Sequence, residues 1–261
     1  MKVVLIGAGN LATNLGKALL KAGHDILQVY SRTMQHAVDL ATVVGGAPTD
    51  NISRIVSGAD VYVLSVKDSA LAEILPELCK GKESKVFLHT AGSMPMDVFK
   101  GMALHYGVLY PMQTFSKSVE VDFGSIPCFV EYSDRAAMMC IMELANSVSN
   151  NVRFLDTDNR KYLHLSAVWA CNFVNHCYAV AADILGRHGM DFSVMLPLVD
   201  ETCRKVHDLP PAKAQTGPAV RFDQNVIRAQ AQLLKDNPLL KDLYERMSLS
   251  IHKFSANEQK Q

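Results

Sequence analysis

The sequence predicts an α/β fold in which a doubly wound parallel sheet precedes an all-helical domain. In the first part of the chain, short apolar runs alternate with segments of helical spacing, which is typical of strand–helix–strand units with right-handed crossovers. Of the 15 glycines, all except Gly186, Gly189 and Gly217 lie at or before Gly124, so short turns give way to long uninterrupted segments. We therefore expect two domains, residues 1–155 and residues 156–261.

Composition narrows the class of protein. With 49% hydrophobic and 20% charged residues, the 261-residue chain has enough apolar material for a packed core, which excludes intrinsic disorder. Lys plus Arg and Asp plus Glu each number 26, so the chain lacks the charge bias that nucleic acid or an anionic membrane attracts. We expect neither as a partner.

The cysteines and the N-terminal residues predict the cellular compartment. The six cysteines show no C-x-x-C spacing and are scattered through apolar segments, as reduced core thiols are, and they predict no metal site. The apolar run at residues 3–6 is too short for a signal peptide. Residues 165–185 are long enough to span a bilayer, but Asn172, His176 and Asp183 among them are costly in hydrocarbon. We therefore expect a cytoplasmic protein with no membrane segment.

Local patterns predict the elements of both domains. Short apolar runs predict strands, and apolar residues three and four positions apart predict helices. In the first domain, the predicted strands are residues 2–7, 25–30, 61–66 and 86–89, and the predicted helices are residues 10–21, 34–43 and a segment through Leu71, Ile74, Leu75 and Leu78. In the second domain, the predicted helices are one from Asp156 or Asp158 to Arg187 and others at residues 191–207, 221–235 and 239–254.

The first strand and helix enclose the strongest local motif. Gly7, Gly9 and Ala12 match G-x-G-x-x-G/A, in which the glycines permit a tight turn and close approach of a pyrophosphate, and the third small residue permits close packing. With Asn10 and Leu11 at the helix N-terminus, whose free N–H groups attract phosphate, they predict a dinucleotide site on a Rossmann domain. The alternatives are a turn that serves packing alone and a domain that has lost its ligand.

The end of the second strand indicates which dinucleotide. Sites for NAD usually place Asp or Glu there, on the ribose 2′-hydroxyl. This chain has Ser31, Arg32 and Thr33 instead, two hydroxyls and a planar cation that suit a 2′-phosphate. The tip therefore favours NADP, the alternative being that Arg32 is an ordinary solvated charge.

Two later loops should lie along the same edge of the sheet, because ligands of open α/β sheets bind beyond the carboxyl ends of the strands. We expect them to flank the nicotinamide half of the cofactor. His89, beside the second loop, is interpreted as a packed strand-end histidine rather than a catalytic one. The cofactor-binding residues predicted in these loops are Ser65, Val66, Lys67, Thr90 and Ala91.

Three further segments carry a resemblance to a known family. Residues 109–115 look like a His-Pro-Leu-Gln-Thr-Phe signature with Tyr110 in place of the histidine. Residues 162–173 are similar to a Tyr-x-His-x-Ala…Asn-Phe helix, and residues 216–223 resemble Thr-Gly-Pro-x-x-Arg-Gly-Asp with Phe222 in place of glycine. With the glycine turn, they resemble a Rossmann-like branch of the pyrroline-5-carboxylate reductase and 6-phosphogluconate dehydrogenase superfamily whose C-terminal domain has no known function.

The resemblance implies an N-terminal Rossmann domain, a helical C-terminal domain like that of 6-phosphogluconate dehydrogenase, and NADP-dependent oxidoreductase activity. It supplies no substrate. It also implies that polar residues of the first long C-terminal helix face the nicotinamide. His164, Asn172 and His176 recur there on one stripe with helical spacing, and Lys161 precedes them.

Chemistry selects among these residues. A hydride transfer to C=O or C=N needs a proton donor, and histidine titrates near neutrality. We therefore expect His164 to be the acid/base group and Asn172 to orient a small-molecule substrate between the domains, with Lys161 as a reserve acid. In the alternative interpretation, these polar side chains only satisfy one another or the backbone.

The sequence alone does not distinguish among three functions. The chain can be an NADP-dependent oxidoreductase of a small molecule, a non-catalytic NADP-binding sensor or regulatory protein, or a reductase of a deazaflavin. Residues 216–223 can hold an anion through Arg221 or form a structural Arg221–Asp223 pair. The long apolar helix of the second domain, which one Rossmann face cannot cover, predicts a homodimer.

Overall fold

A computed structural model describes residues 1–258, of which 257 and 258 only in their backbone. The chain divides into two compact units, Met1–His176 and a unit that begins at Cys177. The predicted domain boundary after residue 155 stays a prediction, and residues 259–261 of the predicted second domain lie outside the described residues. Among the described helices, none has the length and apolar character needed to cross a bilayer.

The first unit is built on one eight-stranded sheet with the order β3-β2-β1-β4-β5-β6-β7-β8. Neighbouring strands are parallel except β6 and β7, which pair antiparallel. The predicted Rossmann fold with a doubly wound sheet is confirmed. The strands are Lys2–Ile6 (β1), Asp25–Tyr30 (β2), Ala47–Thr49 (β3), Val61–Leu64 (β4), Val86–His89 (β5), His105–Pro111 (β6), Cys128–Tyr132 (β7) and Val152–Phe154 (β8).

Helices cover both faces of this sheet and bury two apolar clusters. Leu5 and Leu15 belong to the cluster on one face, and Ile6 and Leu75 to the cluster on the other, because alternate residues of a strand point to opposite faces. The helices between the strands are Asn10–Lys21 (α1), Met34–Val44 (α2), Asp68–Cys79 (α3) and Arg135–Val148 (α4).

The sequence patterns missed β3 at one edge of the sheet and the three strands at its other side. β3, β6, β7, β8 and α4 were not predicted. Strand β6 carries His105 and Tyr106 at its start, so it lacks the continuous apolar run of the other central strands. Helix α4 does have a local start signal, since the Asp134 carboxylate accepts hydrogen bonds from the N–H groups of Ala136 (2.7 Å) and Ala137 (3.1 Å).

The prediction of a single long helix up to Arg187 is wrong in one respect. The helix starts at Asp156, one of the two predicted caps, which accepts a 2.8 Å bond from Asn159 N–H. A π-helical turn, Val168–Phe173, separates Thr157–Ala167 (α5) from Val174–Arg187 (α6). A π turn inserts backbone into the helix, so every later residue is rotated about the axis relative to uniform α spacing. The stripe that joined His164 to Asn172 and His176 assumed that uniform spacing.

The helices that follow confirm a helical C-terminal region. Their bounds differ by a few residues from the predicted ones, and a short helix after residue 210 was not predicted. The helices are Leu196–Asp208 (α7), Pro211–Ala214 (α8), Gln224–Leu233 (α9) and Pro238–Glu258 (α10).

Candidate functional site

The glycine turn joins β1 to α1 and has the geometry of a phosphate cradle. Gly7 adopts a φ of +119°, and a Cβ there would overlap the Ser65 carbonyl oxygen, so only glycine fits. A Cβ at Gly9 would meet nothing within 4 Å, and no side chain caps the helix at this residue. The first N–H groups of α1 therefore face an open space that a phosphate group fits.

A cavity of about 400 Å³ opens on this turn. It extends from Gly7 and Gly9 to the tip of β2 and to the loop after β4. Most of the predicted cofactor-binding residues line it, namely Gly7, Gly9, Ser31, Arg32, Thr33, Ser65, Val66 and Lys67. The sequence analysis did not assign the other lining residues, which are Ala8, Tyr30, His36, Ala70 and Lys117.

Other predicted cofactor-binding residues do not line this cavity. Asn10 is exposed at the start of α1, and Leu11 is half-buried against the core. Thr90 N–H donates a 3.0 Å bond to the Leu64 carbonyl, which ties the loop after β5 to the end of β4. Ala91 follows in that loop. Their role toward the cofactor stays a prediction.

The cavity has a positive lining. Arg32, Lys67 and Lys117 contribute cations, and its described lining contains no carboxylate. Among the side chains of residues 1–256, none of the three cations has an ion-pair partner. Such a lining is complementary to a ligand that carries several phosphate charges.

His89 is a packed histidine, as predicted. It has no exposed surface, and burial, assisted by the Arg160 charge, lowers its pKa to about 4. Its Nδ1 accepts a 3.1 Å bond from Ala91 N–H, so Nε2 donates to the Pro95 carbonyl at 3.3 Å. The neutral ring therefore shapes the loop between β5 and residue 95.

His164 lies against that same loop. A Cβ at Gly92 would lie 2.5 Å from His164 Nδ1, so the absence of a side chain at Gly92 makes room for the imidazole. The Tyr110 hydroxyl lies 3.0 Å from the same Nδ1, and the two rings meet edge to face at 5.9 Å. Burial raises the pKa of Tyr110, so its hydroxyl keeps its proton near neutral pH.

His164 lies outside the lining of the cavity at the glycine turn. The residue is half-buried, and its ring is hydrogen-bonded to the Tyr110 hydroxyl. The structure thus brings His164 together with Tyr110 and the loop after β5. The sequence had marked Tyr110 only as a departure from a family signature.

A buried ion pair fixes α5 one turn before His164. Arg160 has no exposed surface, and its Nη1 donates to the Glu131 carboxylate. Its Nη2 donates to the Met94 carbonyl (2.6 Å), while Thr157 donates from N–H (2.9 Å) and from its hydroxyl (2.8 Å) to Glu131. The pair therefore connects α5 to β7 and to the loop that carries Gly92.

The remaining candidates of the catalytic helix are more exposed. Asn172 lies in the π turn and is exposed, as is His176. Lys161 forms a surface ion pair with Asp158 at 3.3 Å. In the part of the chain with described side chains, residues 1–256, none of these three residues is hydrogen-bonded to Tyr110 or His164.

The segment at residues 216–223 belongs to the second unit. Phe222 adopts a φ of +52°, a left-handed conformation that favours glycine, and its ring stacks on His252 at 4.5 Å. Asp223 accepts a 3.3 Å bond from Val226 N–H and caps α9. In the described residues it forms no ion pair with Arg221, so the structural role of Asp223 is a helix cap.

Known proteins resemble the chain over nearly its whole length. The family model described as "NADP oxidoreductase coenzyme F420-dependent" matches residues 2–91, and that of a domain of unknown function (DUF2520) matches residues 126–251. The crystal structure of the "putative NADP oxidoreductase BF3122" from Bacteroides fragilis is 51% identical, with a TM-score of 0.93 and coverage of 97% of this chain and 98% of that chain.

More distant structures share the fold. An imine reductase from Myxococcus stipitatus in complex with NADP+ is 17% identical, with a TM-score of 0.64 and coverage of 97% of this chain and 93% of that chain. A pyrroline-5-carboxylate reductase from Coxiella burnetii is 15% identical, with a TM-score of 0.58 and coverage of 98% and 97%. No curated protein matches the chain.

Proposed function

We propose that His164 is the acid/base group of a hydride transfer in this chain, which belongs to a family of NADP oxidoreductases. In this family, an F420-dependent-type NADP oxidoreductase domain is joined to a DUF2520 domain. The cofactor is NADP. The substrate that we propose is a small carbonyl or imine compound. The observation that carries the catalytic proposal is the hydrogen bond between Tyr110 and His164 beside the loop after β5.

The cofactor site that we propose follows the lining of the cavity. Gly7, Gly9 and the N-terminus of α1, with Asn10 and Leu11, hold the pyrophosphate through backbone N–H groups. Arg32 pairs with the 2′-phosphate, assisted by the hydroxyls of neighbouring residues. NADPH supplies the hydride. The other proposed cofactor-binding residues are Ser31, Thr33, Ser65, Val66, Lys67, Thr90 and Ala91.

The proton is held at His164 Nε2 in the direction of reduction. When the imidazole is charged, Nδ1–H donates to the Tyr110 oxygen, and Nε2–H is free to pass its proton to the oxygen or nitrogen of the substrate. After Nε2 has given up its proton, Nδ1 keeps its own hydrogen, so the bond from Nδ1–H to the Tyr110 oxygen is the same before and after the transfer. Asn172 is proposed to orient the substrate through its amide.

The experiment that tests this role separates binding from turnover. His164→Ala should leave the NADPH dissociation constant unchanged and lower turnover by about 10²–10⁴-fold, which is what one general acid contributes. The assay follows NADPH oxidation with a panel of small imines, aldehydes and a deazaflavin, and fluorescence titration measures binding. His188→Ala, a substitution at an exposed histidine, is the matched control.

Each outcome of that experiment has a meaning. Full turnover by His164→Ala contradicts the acid/base role. Tight NADPH binding by the wild-type protein without turnover of any panel member favours the alternative function, a non-catalytic NADP-binding sensor. The observation that favours this alternative is that His164 does not line the cavity at the glycine turn.

The proposal includes a homodimer, in which helices of a second copy cover apolar side chains exposed in one chain. Among residues 177–256, the buried ones are Ala219, Ile227, Ala231 and Ser248. Exposed surface of this kind marks an interaction site. Large exposed apolar or aromatic side chains between residues 157 and 208 include Tyr162, Leu165, Trp169, Phe173, Ile184, Val194, Leu198 and Val206.

Light scattering checks the oligomeric state. We expect a dimer at micromolar concentration, with an interface that buries more than about 2,000 Å² in total, as obligate homodimers do. Leu198→Glu places a charge on the exposed apolar surface, since this side chain is 59% exposed. It should weaken the dimer without disturbing a core, and a monomeric wild-type protein would contradict the proposal.

The proposal also places the protein in the cytoplasm. All six cysteines are free thiols, in agreement with a reducing compartment. Burial raises the pKa of Cys79 to about 12 and that of Cys128 to about 11, so these two thiols are poor nucleophiles.

A further inference from the structure

We propose that Lys117 binds the pyrophosphate of the dinucleotide and that the loop between β6 and β7, residues 112–127, is a strap that holds it there. The inference rests on the proposed cofactor site. It adds a ligand from a segment far along the chain from the glycine turn. Three observations support it: the anchoring of the loop, the charge of the cavity, and the position of the anchor relative to α1.

The strap is fixed to α1 beside residue 117. Asn14, which is 5% exposed, donates from Nδ2 to the Ser116 carbonyl at 3.1 Å and to the Asn10 carbonyl at 2.9 Å. On the other side of the anchor, Phe115 packs against the apolar core and stacks on Phe123 at 5.8 Å. The backbone at Lys117 is therefore held next to the helix whose N-terminus receives the phosphates.

The charge around Lys117 favours an anion. Lys117 lines the cavity together with Arg32 and Lys67, and its described lining holds no carboxylate. A larger cavity of about 630 Å³ shows a different pattern, because its two lysines are accompanied by Glu120 and Asp122. The cations at the glycine turn are not balanced in this way, and a bound diphosphate would balance them.

The bond between Asn14 and the Ser116 carbonyl indicates which phosphate group of the cofactor lies near Lys117. Arg32 follows β2, at the position where the ribose 2′-phosphate is expected. Lys117 follows a residue that is bonded to the first turns of α1, where the pyrophosphate is expected. Because NADPH and NADH share the pyrophosphate and differ in the 2′-phosphate, the two cations make different predictions for the two cofactors.

The test is a comparison of dissociation constants for NADPH and NADH by calorimetry. Lys117→Ala should weaken both about tenfold, the usual range for one charge-assisted hydrogen bond, and leave their ratio unchanged. It should also reduce the salt dependence of both constants, since one screened contact is lost. Lys100→Ala, at an exposed lysine beside Asp97, is the control and should change neither constant.

A second variant tests the strap. Asn14→Ala removes the anchor while Lys117 is kept, so it should weaken both cofactors, and the double variant should be no weaker than Lys117→Ala alone. Lys117 is exposed, so its replacement leaves the fold intact even where Asn14→Ala does not.

The outcomes separate this inference from the cofactor site itself. Unchanged constants in Lys117→Ala, or a loss confined to NADPH, would overturn the pyrophosphate assignment while the cofactor site stands. A wild-type protein that binds neither dinucleotide would contradict the cofactor site and the Lys117 assignment together.

Discussion

Replacing Arg160 by methionine tests how α5, the helix of His164, is held against the sheet. The Arg160 side chain is fully buried and its guanidinium binds Glu131 and the Met94 carbonyl. Methionine retains much of the side-chain length but leaves the Glu131 carboxylate buried without its counter-charge. Thr157 still donates two hydrogen bonds to that carboxylate.

The magnitude follows from these contacts. Removing one partner of a buried ion pair costs about 3–5 kcal/mol in the free energy of unfolding. Because the two bonds from Thr157 remain, we expect the lower end, about 3 kcal/mol. At roughly 2–4 °C per kcal/mol for a chain of this size, the Tm should fall by about 6–12 °C.

Scanning calorimetry of the wild-type protein and the variants checks this value. Arg153→Met is the matched control, because Arg153 is exposed and its side chain bonds to Asn151 alone among residues 1–256, so the loss should stay under about 0.5 kcal/mol. The double variant Arg160→Met with Glu131→Leu removes both charges, so its Tm should lie above that of the single variant. It should stay below that of the wild-type protein, because Thr157 loses its two bonds to Glu131. A Tm for Arg160→Met equal to that of the control, or a double variant that melts below the single one, would refute the reasoning.

Two further predictions concern charge. Arg32→Ala should weaken NADPH binding about tenfold or more and leave NADH binding unchanged, because a charge-assisted bond to the 2′-phosphate is worth roughly 1.5–3 kcal/mol. Fluorescence titration measures both, and equal losses would contradict the assignment. Asp134→Ala should lower the Tm at neutral pH, since it removes the cap of α4. Burial opposes the charge of Asp134, but hydrogen bonds from His105 and the cap outweigh it and lower its pKa from 3.8 to about 2. The stabilisation is therefore present above pH 3.8 and lost as the pH falls through about 2, so the Tm difference from wild type should narrow over that window. A difference that stays constant with pH would contradict this.

The sequence by itself determined the parts of the fold that depend on neighbouring residues. Hydrophobic periodicity predicted the first strands and helices, and the spacing of Gly7 and Gly9 predicted a turn that the structure builds with a φ of +119° at Gly7. The position of Ser31, Arg32 and Thr33 directly after β2, where they line the cavity, was also predictable from the local sequence. These features were predictable because each is decided within one turn or one strand.

Residues that meet across long stretches of chain could not be predicted in this way. Tyr110 and His164 are 54 positions apart, and Glu131 and Arg160 are 29 apart, so each pairing depends on how the strands are ordered in the sheet. Lys117 lines the cavity at the glycine turn, and Asn14 binds the carbonyl of the preceding residue, which is 102 positions away from it in the sequence. The periodicity of apolar residues predicts local elements but not contacts between residues that are far apart in the sequence.

The π turn shows the same division within a single element. Apolar spacing predicted one continuous helix to Arg187, and the helix is continuous, but one turn within it is wider than an α turn. That difference changes which side chains share a face with His164, while the composition of the segment stays the same. The sequence thus determined that a helix is present and limited its start to Asp156 or Asp158. Only the tertiary structure decided which of its polar residues meets Tyr110, because that contact joins α5 to a strand 54 positions away, and the π turn after His164 decides which later residues share its face.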